Sequence, residues 1–410
     1  MFYKVKQKSF SANSSKKVDL HYMGNNFICP RCGNSNPTYI GYLKGQPYCR
    51  FCISMKGKEA EVKHRGRGSI VMRLGYPLSK EQSYISDRVL ANYKEKKDTL
   101  INAVCGAGKT ELIYRVMAHV LSQGKTVAFA VPRRDVVIEL SQRIHMVFPF
   151  NSLVSVYGGH TDKLEADIVV LTTHQLYRYE HYFDLIILDE IDAFPFKNNQ
   201  LLNQMFFRSI KGQIVMMSAT PSKDVLEFFS QENREILELN TRFHRHPLPV
   251  PEVVKKIGYF KIPYLIKELK EFISQGKKTF VFAPTIDRCE FVAKFLKIPV
   301  KNGTFVHSKC KDRAQKIKDF KEGKYDYLVT TAVLERGVTF KDLQVIIYDA
   351  DSEIYDSQAL IQISGRVGRK IDAPEGEVIF LVNKETDEIR TAIRTIQDKN
   401  RHLQDLLQTN

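Results

Sequence analysis

Short apolar segments alternate with amphipathic stretches along most of this sequence, in two series. Each segment is a nearly continuous run of β-branched and other hydrophobic residues, typical of parallel strands that helices cover on both faces. The first series predicts strands at Thr99–Val104, Thr126–Val131, Ile168–Thr172, Leu185–Leu188 and Ile214–Met217. The second predicts strands at Thr279–Ala283, Thr304–His307, Tyr327–Thr330, Val345–Tyr348 and Val378–Leu381. We therefore expect an α/β fold with two consecutive parallel-sheet domains, ending in a long charged helix at Lys384–Leu407.

The rest of the chain lacks this alternation. Residues 240–262 contain Pro247, Pro249 and Pro251, whose spacing disfavours regular structure, so we place an interdomain linker there. The predicted organisation is a flexible basic leader (1–26), a four-cysteine module (27–54), a basic linker (55–77), a first domain (78–240), the interdomain linker (241–262) and a second domain (263–410).

A glycine-containing loop, Ala103–Thr110, follows the first predicted strand and precedes the amphipathic helix Glu111–Gln123. Glycines let backbone N–H groups curl around phosphates, Lys109 can reach the outer phosphates, and Thr110 can bind magnesium. A chance glycine-rich turn is the alternative. The strand–loop–helix context favours a nucleotide-binding loop.

Acidic residues directly follow the predicted strand Leu185–Leu188. A carboxylate at the C-terminal end of a parallel strand lies at the sheet edge where nucleotides bind. We expect Asp189 to hold magnesium and Glu190 to orient or deprotonate the attacking water. An acidic loop is often only solvated surface, but its place in the strand series favours a catalytic role.

The second domain contains the run Gln362–Arg369, which includes Arg366 and Arg369. Arginines directed at a nucleotide can stabilise charge on the transferred phosphoryl group, an effect of about 10³–10⁵ in rate. Taken alone, the run would be a basic surface turn. The phosphate-binding loop makes a catalytic role the better interpretation.

Four cysteines are arranged as two close pairs, Cys29/Cys32 and Cys49/Cys52, with 16 residues between the pairs. This spacing is typical of zinc-ribbon modules that bind one structural zinc ion, and four thiolates leave no open position for catalysis. The neighbouring aromatic residues can either stack on bases or form the small core of the module; they are Phe27, Tyr39, Tyr42, Tyr48 and Phe51.

Charge is concentrated near the start of the sequence. The formal net charge is +16, and residues 1–75 contain 14 lysines and arginines against 3 acidic residues. A charge run is often only a solvated face, but beside these motifs it favours a polyanion partner. No stretch reaches the about 20 apolar residues of a membrane span, and residues 1–17 lack the apolar core of a secretion signal. We expect a cytoplasmic protein.

Six motifs in order resemble those of the superfamily-two helicases and translocases over residues 79–383. They are Gln82, Gly106–Thr110, Asp189–Asp192, Ser218–Thr220, Thr330–Thr331 with Arg336–Gly337, and Gln362–Arg369. The resemblance implies two tandem RecA-like domains that use ATP and magnesium. Catalysis would depend on Lys109, Asp189, Glu190, Arg366 and Arg369, and domain coupling on Ser218, Ala219 and Thr220. ATP would be bound by Gln82, Gly106, Ala107, Gly108, Lys109, Thr110, Gly337 and Gln362.

The same resemblance implies nucleic-acid contacts after several strands. The implied residues are Pro132, Arg133, Arg134, Gly158, Gly159, Thr172, Thr173, His174, Thr330 and Thr331. They offer N–H, hydroxyl or guanidinium donors to phosphate oxygens, so the grip would tolerate any base sequence. Each could instead be an ordinary loop with a helix cap and solvated charge.

The four-cysteine module, the basic linker, the DEID motif and Gln362 together resemble the ComFA family of late competence ATPases. That resemblance implies a motor that pulls incoming single-stranded DNA inward at the inner face of the bacterial membrane. It also implies a ComFC-type partner, the DNA-uptake channel and the recombination loader DprA as partners. Two alternatives stay open: a general helicase for repair or replication restart, and a scaffold that binds nucleic acid without hydrolysing ATP.

Overall fold

The computed structural model describes residues 27–53, 55, 57–61, 70–190, 199–331 and 340–408. The predicted leader (1–26) and much of the basic linker therefore lie outside the described residues. Within the described part, no helix combines the length and the apolarity that crossing a bilayer requires.

The four-cysteine module is a small hairpin. A 3₁₀ turn at Pro37–Tyr39 leads into β1 (Ile40–Leu43), which pairs antiparallel with β2 (Gln46–Cys49). The Asn36 side chain caps the 3₁₀ turn by accepting a hydrogen bond from the Thr38 N–H. Because so short a hairpin buries little apolar surface, the module needs further support.

A seven-stranded sheet follows. Its strands are β3 (Asp98–Ala103), β4 (Val127–Val131), β5 (Leu153–Val156), β6 (Ile168–Thr172), β7 (Phe183–Asp189), β8 (Ile210–Ser218) and β9 (Arg234–Leu239). The spatial order is β5-β6-β4-β7-β8-β3-β9, and the pairings from β5 through β8 are parallel. Strands β4 and β6 are buried at every position, as parallel strands between helical layers must be.

The helices of this part begin with α1, whose N-terminus carries a complete capping box. The helices are α1 (Lys80–Lys94), α2 (Lys109–Leu112), α3 (Tyr114–Ser122), α4 (Arg134–Val147), α5 (Gln200–Ser209) and α6 (Lys223–Phe229), with a 3₁₀ turn at Thr173–Arg178. In the capping box, Ser79 accepts from the Gln82 N–H and the Gln82 side chain accepts from the Ser79 N–H.

A six-stranded sheet forms the rest, and every pairing in it is parallel. Its strands are β10 (Glu252–Lys255), β11 (Lys278–Phe282), β12 (Gly303–Val306), β13 (Tyr327–Thr330), β14 (Leu343–Tyr348) and β15 (Val378–Val382), in the order β10-β15-β14-β11-β13-β12. The helices are α7 (Lys261–Ser274), α8 (Ile286–Leu296), α9 (Arg313–Lys321), α10 (Ser357–Ser364) and α11 (Asp387–Gln408), with a 3₁₀ turn at Gly258–Phe260.

The chain divides into two compact units. The first comprises the described residues up to Ile101 and from Thr110 to Leu237. The second comprises Asn102–Lys109 and the residues from Glu238 onward. The glycine-containing loop is thus grouped with the second unit.

All ten predicted strands are present, and Ile168–Thr172 and Tyr327–Thr330 have the predicted ends. In the two large sheets, three strands were not predicted: β5, β9 and β10. Strands β5 and β9 alternate between buried and more exposed positions, so neither shows a continuous apolar run.

Two predictions were wrong in detail. Strand β10 lies inside the stretch expected to resist regular structure. This is possible because its prolines all precede Glu252 and because an edge strand pairs on one side only. The predicted helix Glu111–Gln123 is divided into α2 and α3, with a break at Ile113.

Candidate active site and metal centre

The phosphate-loop candidate begins where β3 ends at Ala103. Gly106 and Gly108 have φ values of 86° and 77°, in the left-handed region that favours glycine. Ala107 is fully buried between them, and its N–H donates to the Val104 carbonyl at 3.2 Å. Helix α2 starts at Lys109, so the chain turns sharply and then presents Lys109 and Thr110. This strand–turn–helix arrangement fits a polyphosphate cradle.

The two candidate carboxylates lie at the carboxyl end of β7. Glu190 follows the last strand residue and has a φ of 58°, which is uncommon for a residue with a side chain. Its N–H donates to the Met217 carbonyl and to Asp189 Oδ1, both at 3.0 Å. The backbone that carries Glu190 is therefore fixed on the neighbouring strand β8. Ile191 and Asp192, the rest of the motif, lie outside the described residues.

The Ser218–Thr220 element continues directly from β8, next to the carboxylates. All three residues are buried, and the Thr220 N–H donates to Ser218 Oγ at 3.0 Å. Because β7 and β8 are parallel neighbours, this element and Asp189 lie at the same edge of the sheet. The coupling role of Ser218, Ala219 and Thr220 stays a prediction.

The arginine run follows α10 in the second unit. Gln362 and Arg366 are buried, at 6% and 2% exposure, and Arg369 Nε donates to the Gly365 carbonyl at 2.9 Å. Burial opposes ionisation of the Cys105 thiol, but Arg369, Lys109, Arg366 and Arg242 lower the pKa of Cys105 below its ordinary value. The phosphate loop and the arginine run thus share one strongly positive environment.

Two cations in this environment were missed by sequence reasoning, Arg242 and Lys399. Burial lowers the pKa of Lys399, and Cys105 and Lys109 are among the groups that act on it. Neither residue belongs to a motif, so the sequence offers no signal for them.

Gln82, the candidate adenine contact, is 4% exposed and forms the capping box of α1. That geometry explains a glutamine at this position by helix capping, and an adenine contact stays a prediction. Gly337, the other outlying ATP-site candidate, lies outside the described residues with Arg336.

The nucleic-acid candidates of the first unit gather at one sheet edge. They follow β4, β5 and β6, which are adjacent and parallel. Arg134 is exposed and its guanidinium lies 4.9 Å from the centre of the Tyr157 ring, which in turn stacks on His160 at 4.9 Å. Gly158 and Gly159, which connect Tyr157 and His160 in the chain, are exposed. A basic and aromatic surface of this kind suits a phosphate backbone with its bases.

The other candidates differ in exposure. Arg133 is half-buried at the start of α4 and His174 is exposed, whereas Pro132, Thr172 and Thr173 are buried. In the second unit, Thr330 and Thr331 are also buried, and Thr330 Oγ1 donates to the Val306 carbonyl at 2.9 Å. The buried threonine side chains can support a contact surface but cannot contribute much to it.

The four cysteine sulfurs meet at one point. All four residues are buried and their Sγ atoms lie within 4.8 Å of one another, at 3.7 Å for Cys29–Cys52 and 3.6 Å for Cys32–Cys49. Four Zn–S bonds of about 2.3 Å in a tetrahedron would put the sulfurs about 3.8 Å apart. Burial raises the pKa of Cys52 to about 11, so a thiolate here needs a compensating cation. The donor set fits a structural zinc ion.

The four-cysteine module packs against the 3₁₀ turn and α5 of the first unit. Its cysteines belong to the same hydrophobic cluster as Leu176 and Tyr177 of the 3₁₀ turn and Phe206 of α5. Arg31 lies 5.4 Å from the centre of the Tyr177 ring and pairs with Glu59 at 3.1 Å. This docking was not predicted from the sequence.

Hydrogen bonds continue the docking along the chain that follows the module. Arg178 Nη1 donates to the Lys58 carbonyl at 2.8 Å, and the Ala60 N–H donates to the Arg178 carbonyl at 2.9 Å. Arg208 pairs with Glu180 at 2.7 Å and with Glu59 at 3.4 Å. The module is therefore attached to the first unit through apolar, ionic and backbone contacts together.

Two family models match the chain. One, described as type III restriction enzyme, res subunit, matches residues 75–223; the other, helicase conserved C-terminal domain, matches residues 261–370. Among solved structures, S. cerevisiae Dbp5 bound to RNA and ADP BeF3 superposes with a TM-score of 0.60 at 17% identity. That match covers 79% of this chain and 92% of the other. The chain thus has the two RecA-like domains of a superfamily-two helicase.

Two curated relatives match over most of their length. Competence protein ComFA of Bacillus subtilis (strain 168) is 34% identical over 396 residues, which cover 91% of this chain and 86% of the relative. Competence protein ComFA of Streptococcus pneumoniae (strain ATCC BAA-255 / R6) is 33% identical over 404 residues, covering 91% and 90%. On this identity and coverage, the chain belongs to the ComFA family.

Proposed function

We propose that this protein is a DNA-dependent ATPase that moves along single-stranded DNA and drives the uptake of transforming DNA. The observation that carries the proposal is the order of motifs along one edge of the first sheet. The candidate strand contacts follow β5, β6 and β4, and the hydrolysis and coupling residues follow the next two strands, β7 and β8. Hydrolysis and strand contact are thus linked through neighbouring strands of one rigid sheet.

The chemistry of the site supports hydrolysis. Lys109 and the loop backbone would hold the phosphates, Thr110 and Asp189 would hold magnesium, and Glu190 would orient the attacking water. Bound magnesium would neutralise charge on the phosphate oxygens. Arg366 and Arg369 would stabilise the charge that develops on the transferred group. A scaffold that never hydrolyses ATP would need neither a water-orienting carboxylate nor these arginines.

The partners belong to this proposal. The family membership supports action at the DNA-uptake channel on the inner face of the membrane, together with a ComFC-type protein and DprA. The zinc module would engage DNA at the exposed face of its hairpin, where Tyr42 is 64% exposed beside the exposed Lys44 and Arg50. Aromatic and basic groups in this combination bind single strands by stacking and charge.

The deciding experiment compares ATP hydrolysis by the full chain with single-stranded DNA, duplex DNA and RNA. We expect single-stranded DNA to stimulate the rate most strongly. Glu190→Gln should abolish hydrolysis while it preserves ATP binding and DNA binding, and Lys109→Ala should bind ATP poorly. Glu232→Gln, at an exposed position, is the matched control and should hydrolyse at the wild-type rate.

Other results would redirect the assignment. Stronger stimulation by RNA would contradict the uptake role, and strand separation of a duplex by the chain alone would favour a general helicase. Normal turnover by Glu190→Gln would contradict the catalytic role of this carboxylate, and a wild-type chain that hydrolyses no ATP would remove the ATPase assignment itself.

A further inference from the structure

Arg242 is a deeply buried cation between β9 and β10, at 2% exposure. Its hydrogen-bond acceptors are all backbone carbonyls, and among the described residues no carboxylate pairs with it. Burial, with a further contribution from Arg369, lowers the pKa of Arg242 to about 10. Burying a guanidinium without a carboxylate is costly, so its retention calls for a specific use.

The guanidinium of Arg242 holds the loop that carries the candidate catalytic arginines. Nη1 donates to the Gly368 carbonyl at 2.8 Å, and Nη2 donates to the carbonyls of Val367 at 3.0 Å and Gly365 at 3.5 Å. Three of the four carbonyls of residues 365–368, around Arg366, therefore accept hydrogen bonds from one rigid planar group. An arginine provides such a fan of donors and a lysine does not.

A histidine two residues further on supports the same loop. His244 Nδ1 accepts from the His246 N–H at 3.1 Å, so the ring proton lies on Nε2, which donates to the Gly368 carbonyl at 3.0 Å. Gly368 also packs closely against Pro374, because a Cβ at that position would meet the Pro374 carbonyl oxygen at 2.1 Å. The loop is thus fixed from two sides.

The same stretch of chain also contacts the phosphate loop, which belongs to the same compact unit. The Phe243 N–H donates to the Gly106 carbonyl at 3.3 Å, and a Cβ at Gly106 would lie 3.7 Å from Arg242 Cγ. On the preceding side, the Val104 N–H donates to the Leu239 carbonyl at 3.1 Å. Residues 239–251, which we name the bridging segment, thereby connect the phosphate loop with the arginine loop.

We propose that Arg242 is a positioning residue for ATP hydrolysis. It sets the backbone of residues 365–368 relative to the phosphate loop, and so aims Arg366 and Arg369 at the phosphate that is transferred. Its own charge adds to the positive potential that receives a polyphosphate. The inference rests on the proposed ATPase function and deepens it.

The test uses the full chain with Arg242→Gln and Arg242→Lys, alongside Arg394→Gln as a matched control at an exposed arginine of α11 in the same unit. DNA-stimulated hydrolysis is measured as kcat and KM, and ATP and DNA affinities are measured separately. We expect both Arg242 variants to lose about 10²-fold or more in kcat, since misaimed arginines forfeit much of their about 10³–10⁵ effect. Changes in KM and in DNA affinity should stay within about threefold.

A second arm separates positioning from general support of the fold. Because Arg242 acts through both arginines of the loop, adding Arg242→Gln to the double variant Arg366→Ala/Arg369→Ala should make it no slower. A merely structural role would instead lower the fraction of folded protein and leave kcat per folded molecule unchanged. A kcat per folded molecule within threefold of wild type would overturn the proposal. Arg242 variants that do not fold at all would overturn it too.

Different results would overturn the ATPase function and the positioning role of Arg242. If the wild-type chain does not hydrolyse ATP with any of the three nucleic acids, the proposed ATPase function is wrong. If the wild type hydrolyses ATP and Arg366→Ala does not, while Arg242→Gln and Arg242→Lys turn over at the wild-type rate, only the positioning role of Arg242 is wrong.

Discussion

The four-cysteine module and nearly all of the bridging segment are predicted from the sequence to lie outside the two α/β domains. Each is in fact built into a compact unit, but by different forces. The module shares an apolar cluster with the first unit around its four clustered cysteines. The bridging segment is held in the second unit mainly by polar groups that donate to backbone carbonyls.

The difference concerns what each kind of contact can specify. Apolar burial is strong but largely non-directional, so it suits a module that must stay attached. Hydrogen bonds to carbonyls depend on distance and angle, so they suit a segment that sets the position of a catalytic loop. We therefore expect damage to the module to affect mainly stability, and damage to the bridging segment to affect turnover as well as stability.

The largest stability effect is expected for Cys49→Ser. Zinc binding supplies about 10–16 kcal/mol in zinc-finger peptides, so loss of one ligand should release the metal and unfold the module. The apolar faces of the 3₁₀ turn and α5 would then be exposed. We expect lost zinc by elemental analysis, a lower urea midpoint for the first unit and new binding of a hydrophobic dye.

Cys310→Ser is the matched control for that variant, because Cys310 lies in the second unit away from the cluster. It should retain zinc and the wild-type midpoint. An unchanged midpoint in Cys49→Ser, with the zinc lost, would show that the module is an independent appendage and would break the comparison.

Tyr177→Ala tests the apolar side of the docking without touching the metal. The ring is 8% exposed and lies beneath the guanidinium groups of Arg31 and Arg178. Truncation of a buried aromatic residue costs about 3–5 kcal/mol, and urea unfolding should show a loss of that size. Tyr84→Ala, at a 63% exposed position, should change the free energy of unfolding by less than about 0.5 kcal/mol. Equal losses in the two variants would argue against docking through this ring.

Asn400→Ala tests how the bridging segment is fixed to α11. Asn400 Oδ1 accepts from the Leu248 N–H and its Nδ2 donates to the Leu248 carbonyl, both at 2.8 Å. Loss of two hydrogen bonds should cost about 1–3 kcal/mol in the free energy of unfolding. Gln397→Ala, on the exposed face of the same helix, is the control and should be neutral. A neutral Asn400→Ala would mean that these bonds do not hold the segment.

The smallest effect is a pH dependence at His244. Burial and the nearby Arg242 lower the pKa of His244, while its unfolded value is about 6.5. The unfolded chain therefore binds the proton at a higher pH than the folded chain does. The free energy of unfolding should fall as the pH drops below about 6.5 towards the folded pKa. His244→Gln should show a shallower loss over this range in urea unfolding series, whereas the exposed control His145→Gln should follow the wild type. Identical slopes in wild type and His244→Gln would contradict the neutral, hydrogen-bonded histidine.

Much of the fold and the motif-bearing part of the site could be predicted from the sequence. Central strands such as Ile168–Thr172 have a continuous apolar pattern, and the phosphate loop is local in the chain. Edge strands such as β9 were not predicted, because half-exposed positions interrupt their apolar run. The docking of the module escaped because Tyr177 and Phe206 have the same appearance in the sequence as residues of an ordinary domain core.

The position of Arg242 could not be predicted from the sequence. Its partner Gly368 lies 126 positions away, and the neighbouring residues are a mixture of basic, aromatic and proline residues with no periodicity. Burial is decided by the packing of distant segments, which local patterns along the sequence do not reveal. A buried arginine and a solvated one are therefore indistinguishable until the fold is known.

The docking of the cysteine module has a consequence for synthesis of the chain. Cys52 leaves the ribosome roughly 150 residues before α5, the helix against which the module packs. At about 5–20 residues per second, the hairpin is without its partner surface for roughly 7–30 seconds. Metal available during that interval can close the hairpin before the first sheet exists, and a chain that emerges without metal presents four thiols to oxidation. Supply of zinc during translation, more than its supply to the finished protein, should therefore govern how much of the chain reaches its folded state.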